Sequence, residues 1–189
     1  GRSGACNLDR TAQARRAADA VARRSYGKLV AFLAAAMHDV AAAEDALSEA
    51  FATALADWPR NGCPTNPEAW LLTVAKRKGI DRFRRHRHGE AAAVQLQILA
   101  EIEESVMTEG EDAAIPDRRL ALLFACAHPA IDAGIRAPLM LQAVLGLDAK
   151  TIASAFLASP DAMGKRLGRA KQKIREAGIR FAIPACNEL

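Results

Sequence analysis

The side chains best placed to do chemistry lie along Ser159–Arg175, and that chemistry is recognition, not bond making. Lys165, Arg169 and Gln172 fall on one side of a helical projection with Ala162, flanked by Asp161, Arg166 and Lys173. A helix offering small, polar and cationic groups along one face suits a DNA major groove. Met163, Leu167, Ala170 and Ile174 recur at three- and four-residue steps and form the opposite, apolar stripe. Ser159 is placed to cap the helix, Pro160 to take its first position, and Asp161 to face the positive end of its dipole. Lys171 and Lys173 sit further along, where phosphates are the expected contact. A solvated basic surface helix has a similar composition, so the neighbouring sequence must decide.

A second cationic set surrounds Trp70. At about 100° per residue, Trp70, Thr73, Val74, Arg77, Asp81 and Arg84 share one side of a helix. Leu72, Ala75, Gly79 and Phe83 share the other. Lys76, Arg77, Lys78, Arg82, Arg84, Arg85 and Arg87 are interrupted by a single acid, Asp81. An aromatic ring among cations is how unpaired bases are gripped, by stacking and by phosphate neutralisation. The competing reading is that Trp70 is a core tryptophan packed on the preceding helix.

Metal and bond-making chemistry find less support. Cys6, Cys63, Cys126 and Cys186 are scattered, with no C-x-x-C pair. Cys126 with His128, and His86 with His88, are the nearest approaches to ligand pairs. No nucleophile motif or glycine-rich phosphate loop occurs, so neither an enzyme nor a cofactor is expected.

The elements that must position these groups are helical. The chain has 189 residues, a net charge of +4 and 51% apolar residues. It lacks an uncharged apolar run long enough to span a membrane, and the expectation is a cytoplasmic protein without membrane insertion. Strand signals are nearly absent. Val21–Met37 carries helical periodicity, and Val40–Trp58 a cleaner stripe that Pro59 is expected to end. Asn66, Pro67 and Glu68 open a third helix. Asp39, Glu44, Asp45, Glu49 and Asp57 lie outside the second stripe, with no Lys or Arg from Asp39 to Pro59. That acidic face is either solvated or a dock for a basic partner.

Beyond the third helix, Gly89–Pro116 is acidic and contains no Lys or Arg. Val94–Val106 is a candidate short helix there, and Thr108–Asp112 has linker composition. After Pro116 three stripes follow: Leu120, Leu123, Phe124, Ala127; then Ile135, Leu139, Ala143, Val144, closed by Gly146; then Ile152, Ala153, Phe156, Leu157 behind Asp148. A short helix, a tight turn at Ala158–Ser159 and a longer basic helix make a helix-turn-helix pattern. The fold class expected is all-α, with two small helical domains. The boundaries are a flexible leader at 1–9, a domain at 10–88, an acidic linker at 89–116, a helix-turn-helix domain at 117–184 and a tail at 185–189.

With these motifs in order, the chain resembles a bacterial RNA polymerase sigma factor of the extracytoplasmic-function (ECF) class, of the sigma-70 type. Asp39–Phe51 resembles sigma region 2.2, Asn66–Ala75 with Asp81–Arg85 resembles regions 2.3 and 2.4, and Leu145–Lys171 resembles region 4.2. Leu122–Ala130 and Gly178–Pro184 resemble a subgroup with a tetratricopeptide-like C-terminal extension, absent here either by removal or as a natural short form.

The resemblance implies the following roles. Asp39, Glu44, Asp45, Ser48 and Glu49 bind the β′ clamp helices of core polymerase, with the β flap as a further contact. Trp58, Trp70, Thr73, Arg77, Arg84 and Arg85, with the loop to Thr65, hold the melted −10 strand and a flipped base. Asp161, Lys165, Arg166, Arg169, Lys171 and Lys173 meet the −35 duplex. The acidic segment Glu101–Asp112 either runs near the RNA exit path or acts as an ordinary tether. An anti-sigma factor or the chain's own extension is the implied regulator. Two other classes remain open: a helix-turn-helix regulator that is not a polymerase subunit, and a helical adaptor that binds only proteins.

Overall fold

The computed structural model describes residues 2–86 and 115–184, with side chains over 9–81 and 115–184. Regular structure among the described residues is entirely helical: α1 (Arg2–Met37), α2 (Val40–Asn61), α3 (Pro67–His86), α4 (Arg119–Ala127), α5 (Ala133–Ala143), α6 (Ala149–Ala155) and α7 (Pro160–Glu176). The acidic segment, including Val94–Val106 and Glu101–Asp112, lies outside the described residues, as does the tail at 185–189. The leader expected over 1–9 is helical from Arg2 onward.

Local chemistry sets most helix ends. His38 takes a left-handed conformation (φ 52°) at the end of α1, which histidine tolerates better than most residues. Asp39 then caps α2 by accepting from the Ala42 amide at 3.1 Å. Asn66 accepts from the Ala69 amide at 3.1 Å, Asp148 from Thr151 at 2.9 Å and Ser159 from Ala162 at 3.2 Å. Each satisfies an amide that the first helical turn leaves without a partner. Pro59 does not end α2 but lies inside its last turn. A proline there forfeits one intrahelical bond, and Gly62 (φ 93°) makes the stop, its amide bonding the Trp58 carbonyl at 2.9 Å.

Contacts divide the described chain into two compact units, one within Gly1–Ser25 and Asp45–Ile115, the other within Tyr26–Glu44 and Pro116–Leu189. This division differs from the expected domains, because the α1–α2 corner packs with the C-terminal helices. In the first unit Ala14, Ala18 and Val21 of α1, Leu47, Ala50, Ala54 and Trp58 of α2, and Leu71, Leu72 and Ala75 of α3 are buried. Ser25, also buried, donates to Glu68 Oε1 at 2.5 Å and ties α1 to the start of α3.

In the second unit α5 packs against α4, α6 and α7, and α6 against α7. Its core is built from Leu29 and Leu33 of α1, Leu122, Leu139 and Ile152, and the α7 stripe Met163, Leu167, Ala170 and Ile174. That stripe is the expected one. In α4 the buried residues are Ala121, Leu122, Ala125 and Cys126, whereas Leu120 is exposed. The expected α4 stripe is therefore out of register. In a nine-residue helix that is almost wholly apolar, periodicity carries little information.

Three helices of this unit close over a left-handed residue, with amides reaching three and five residues back behind α6 and α7 and four and six back behind α5. Behind α5, the amides of Gly146 and Leu147 bond the carbonyls of Gln142 and Leu141; behind α7, those of Gly178 and Ile179 bond Arg175 and Ile174. Behind α6, Leu157 and Ala158 bond Ser154 and Ala153. This pattern needs a left-handed residue, which glycine provides at 146 (φ 70°) and 178 (φ 59°). At 157 the residue is leucine, with φ 52°. Leu157 and its neighbour Phe156, expected in the α6 stripe, lie past the helix, and Leu157 is 97% exposed. Leu157→Gly should therefore stabilise the protein by about 1 kcal/mol, since it removes the Cβ strain and forfeits no burial. The check is the urea midpoint, which should rise; an unchanged or lower midpoint would show that Leu157 is not strained.

Candidate nucleic-acid interface

The first unit presents α3. Its inner side holds Leu71, Leu72 and Ala75, while Arg77 and Asp81 are exposed and Trp70, Thr73 and Val74 are half-buried. Thr73 returns its hydroxyl to the Ala69 carbonyl at 2.9 Å. Lys76, expected in the basic run, is instead buried. Arg84 and Arg85 belong to α3, but their side chains lie outside the described residues.

The two tryptophans meet edge to face, with ring centroids 5.5 Å apart and planes at 65°. They divide the work. Trp58 is 2% exposed and its Nε1 has no hydrogen-bond partner. Expected beside Trp70 at the −10 strand, Trp58 is corrected by its burial: a ring so enclosed has no face free for stacking. Trp70 keeps an accessible portion, braced by that contact. Next to Trp58 a cavity of about 270 Å³ is lined by Arg10, Gln13, Arg60, Asn61 and Cys63. Sequence reasoning missed Arg10 and Gln13 here, because their approach to the α2–α3 loop is a tertiary fact. The cavity's aromatic and amide lining suits a planar polar group.

The acidic candidates on α2 separate as well. Asp45, Ser48 and Glu49 are exposed at helical three- and four-residue spacing. Asp39 and Glu44 are partly buried and engaged inside the second unit. Asp39 Oδ1 caps α2, and its Oδ2 lies 3.3 Å from Arg175 Nη1. Glu44 Oε2 accepts from Lys171 Nζ.

On α7 the outer face is as expected: Asp161, Ala162, Lys165, Arg169, Gln172 and Lys173 are exposed. Arg166 is half-buried and donates to the Gly134 carbonyl at 3.2 Å, and Arg169 Nε donates to the Lys165 carbonyl at 3.4 Å. Lys171 departs from expectation. It is 8% exposed and paired with Glu44, so it is not presented to a phosphate in this state. Gly164 and Gly168 are exposed, and a Cβ added to either would meet nothing within 4 Å. A shallow cavity of about 430 Å³ runs beside the helix, floored by Ile131, Ile135 and Ala170 and edged by Arg166, Arg169, Lys173 and Asp132.

Among the described residues, no three His, Cys, Asp or Glu side chains converge as a metal site, and no helix is long and apolar enough to cross a membrane. Cys63 is exposed, whereas Cys126 is enclosed. Burial, helped by the Glu44 charge, pushes the Cys126 thiol up to about 12, so it stays protonated and unreactive at neutral pH.

Residues 21–89 match the family described as Sigma-70 region 2, a stretch that takes in all of α3 and the whole cationic run from Lys76 to Arg87. The chain is also 41% identical over 145 residues to an uncharacterised protein of Rhizobium meliloti, a match that covers 75% of this chain and 34% of the relative. The chain thus spans about a third of the length of that curated relative. No solved structure matches it. Residues 21–89 are thus similar to a sigma-70 region 2, a match that supports a factor of sigma-70 type.

Proposed function

We propose that the chain is an RNA polymerase sigma factor of the ECF class, which directs core polymerase to promoters and opens them. The observation that carries this reading is the similarity of residues 21–89 to sigma-70 region 2, within which α3 bears a half-buried Trp70 and an exposed Arg77. Roughly two helical turns separate the pair. Residues at that spacing return to nearly the same side of a helix, so ring and guanidinium share one face.

In this reading Trp70, Thr73 and Arg77 hold the melted −10 strand, with Arg84 and Arg85 supplying phosphate contacts. The cavity beside Trp58 receives an unstacked base, with Arg10, Gln13, Arg60 and Asn61 as the polar lining that would hold it. Helix α7 reads the −35 duplex through Asp161, Lys165, Arg166 and Arg169, with Lys173 on the backbone. Arg166 and Arg169 give up weak internal bonds to do so. Exposed Asp45, Ser48 and Glu49 face the β′ clamp helices, and the C-terminal helices meet the β flap. Binding free energy drives melting, and bond making belongs to the polymerase. An anti-sigma factor or a C-terminal extension is the expected regulator.

The test is run-off transcription with core polymerase and the complete protein on genomic promoters. Promoter-specific initiation is expected, with affinity that falls steeply as salt rises. No specific initiation would overturn the reading. Tight duplex binding by the purified protein, indifferent to polymerase, would instead favour a helix-turn-helix regulator.

A further inference from the structure

The cavity of about 430 Å³ beside α7 is walled by the turn that joins α4 to α5. Hydrogen bonds fix that wall. The Ala130 amide donates to His128 Nδ1 at 3.1 Å, and the Ile131 amide to the His128 carbonyl at 2.9 Å. Arg136 grips the same turn, donating to the Ile131 carbonyl at 2.9 Å and to the Pro129 carbonyl at 3.2 Å. Asp132 accepts from the Gly134 amide at 3.1 Å, and Arg166 reaches the Gly134 carbonyl from α7. Ile131, Ile135 and Ala170, all buried, floor the cavity, while Arg166, Arg169 and Lys173 edge it against the single carboxylate of Asp132. Among the described residues the ion pairs of this unit engage Arg119, Lys171 and Arg175, and none engages those three cations. The result is a preformed apolar seat edged by uncompensated positive charge.

A DNA phosphate would answer the charge but has no apolar group to set on the floor. A docking helix is too broad, since it measures about 10–12 Å across with its side chains, and a stable protein interface takes roughly 800 Å² per partner. A cavity of this volume suits a small ligand, and arginine forks match carboxylate and phosphate heads. We infer that the α5–α7 cavity binds a small organic anion, an acidic head on an aromatic ring or short aliphatic chain. The head meets Arg166, Arg169 and Lys173, and the body rests on Ile131, Ile135 and Ala170. Binding needs little reorganisation, because the wall is already bonded in place. The site stands on its own geometry, whereas its consequence rests on the proposed function, in which the same cations face −35 DNA. An occupied cavity then draws on Arg166 and Arg169 and lowers affinity for the duplex, and the coupling is reciprocal.

The test titrates three probes into the ¹⁵N-labelled complete chain without DNA: phenyl phosphate, inorganic phosphate and benzyl alcohol, all at equal ionic strength. Phenyl phosphate should bind at least about tenfold more tightly than either fragment, because it alone joins the charge to an apolar body. Its amide shifts should centre on Ala130, Ile131, Gly134 and Ala170. Ala130→Glu sets an acid on the exposed edge of the cavity, and Lys173→Glu reverses a charge there. Each should weaken phenyl phosphate by about tenfold or more; should one variant fail to fold, the other decides. Phenyl phosphate no tighter than inorganic phosphate, or equal shifts around Arg77 in α3, would show counterion binding only and overturn the site. Shifts at these amides with an acidic amphipathic peptide but not with phenyl phosphate would also overturn it and assign the cavity to a protein partner. The titration needs no promoter, so a chain that binds phenyl phosphate here yet fails run-off transcription would refute the sigma reading alone.

Discussion

Replacing Trp70 by alanine should reduce promoter opening by roughly tenfold to a hundredfold, while initial promoter docking by holoenzyme changes by no more than about threefold. The magnitude follows from base–aromatic stacking, worth about 1–3 kcal/mol per base, which is gained only once the strands part. Permanganate reactivity of unpaired thymines measures opening, and filter retention at low temperature measures docking. Equal losses in both would show that Trp70 matters only as packing. Its partner should behave differently. Trp58→Ala removes an enclosed ring and should cost about 3–5 kcal/mol of stability. Both tryptophans of the chain lie in the first unit, so intrinsic fluorescence follows that unit's unfolding.

The second large effect sets neighbours on α7 against each other. Leu167 is 1% exposed, and Leu167→Ala should destabilise the protein by about 2–5 kcal/mol through lost burial and the cavity left behind. Gly168→Ala should instead stabilise it by roughly 0.5–1 kcal/mol, because the helix gains a better former and the added methyl meets open space. Urea unfolding followed by circular dichroism separates the two. Opposite signs are expected; destabilisation by both would mean that the methyl at 168 is crowded. Duplex affinity of the stabilised variant adds information about function. A loss at −35 DNA would assign Gly168 to close backbone approach, and an unchanged affinity would remove it from the interface.

The groups legible in the sequence were those governed by short-range rules. Asn66, Asp148 and Ser159 cap where their spacing to the next helical turn requires, since a cap bond spans only three residues. The α7 stripe was equally plain, because four apolar residues at helical steps leave one way to turn the helix. The sigma resemblance also rested on linear motifs, and the region 2 match falls on the stretch that carries the first of them.

What only the tertiary structure decided is which charged and aromatic groups remain available. Trp58 and Trp70 are the same side chain on neighbouring helices, yet one is enclosed and the other partly open, because the packing of the first unit covers a single ring. Lys171 reads as a phosphate contact until Glu44, 127 residues away, is brought against it. Arg175 and Asp39 meet across a similar gap of 136 residues. A helix's own pattern reports which side is apolar, whereas the partner of a charge depends on which other helix arrives beside it. The basic α7 helix was visible from composition and spacing; that its far end meets acids of the α1–α2 corner was decided by tertiary packing.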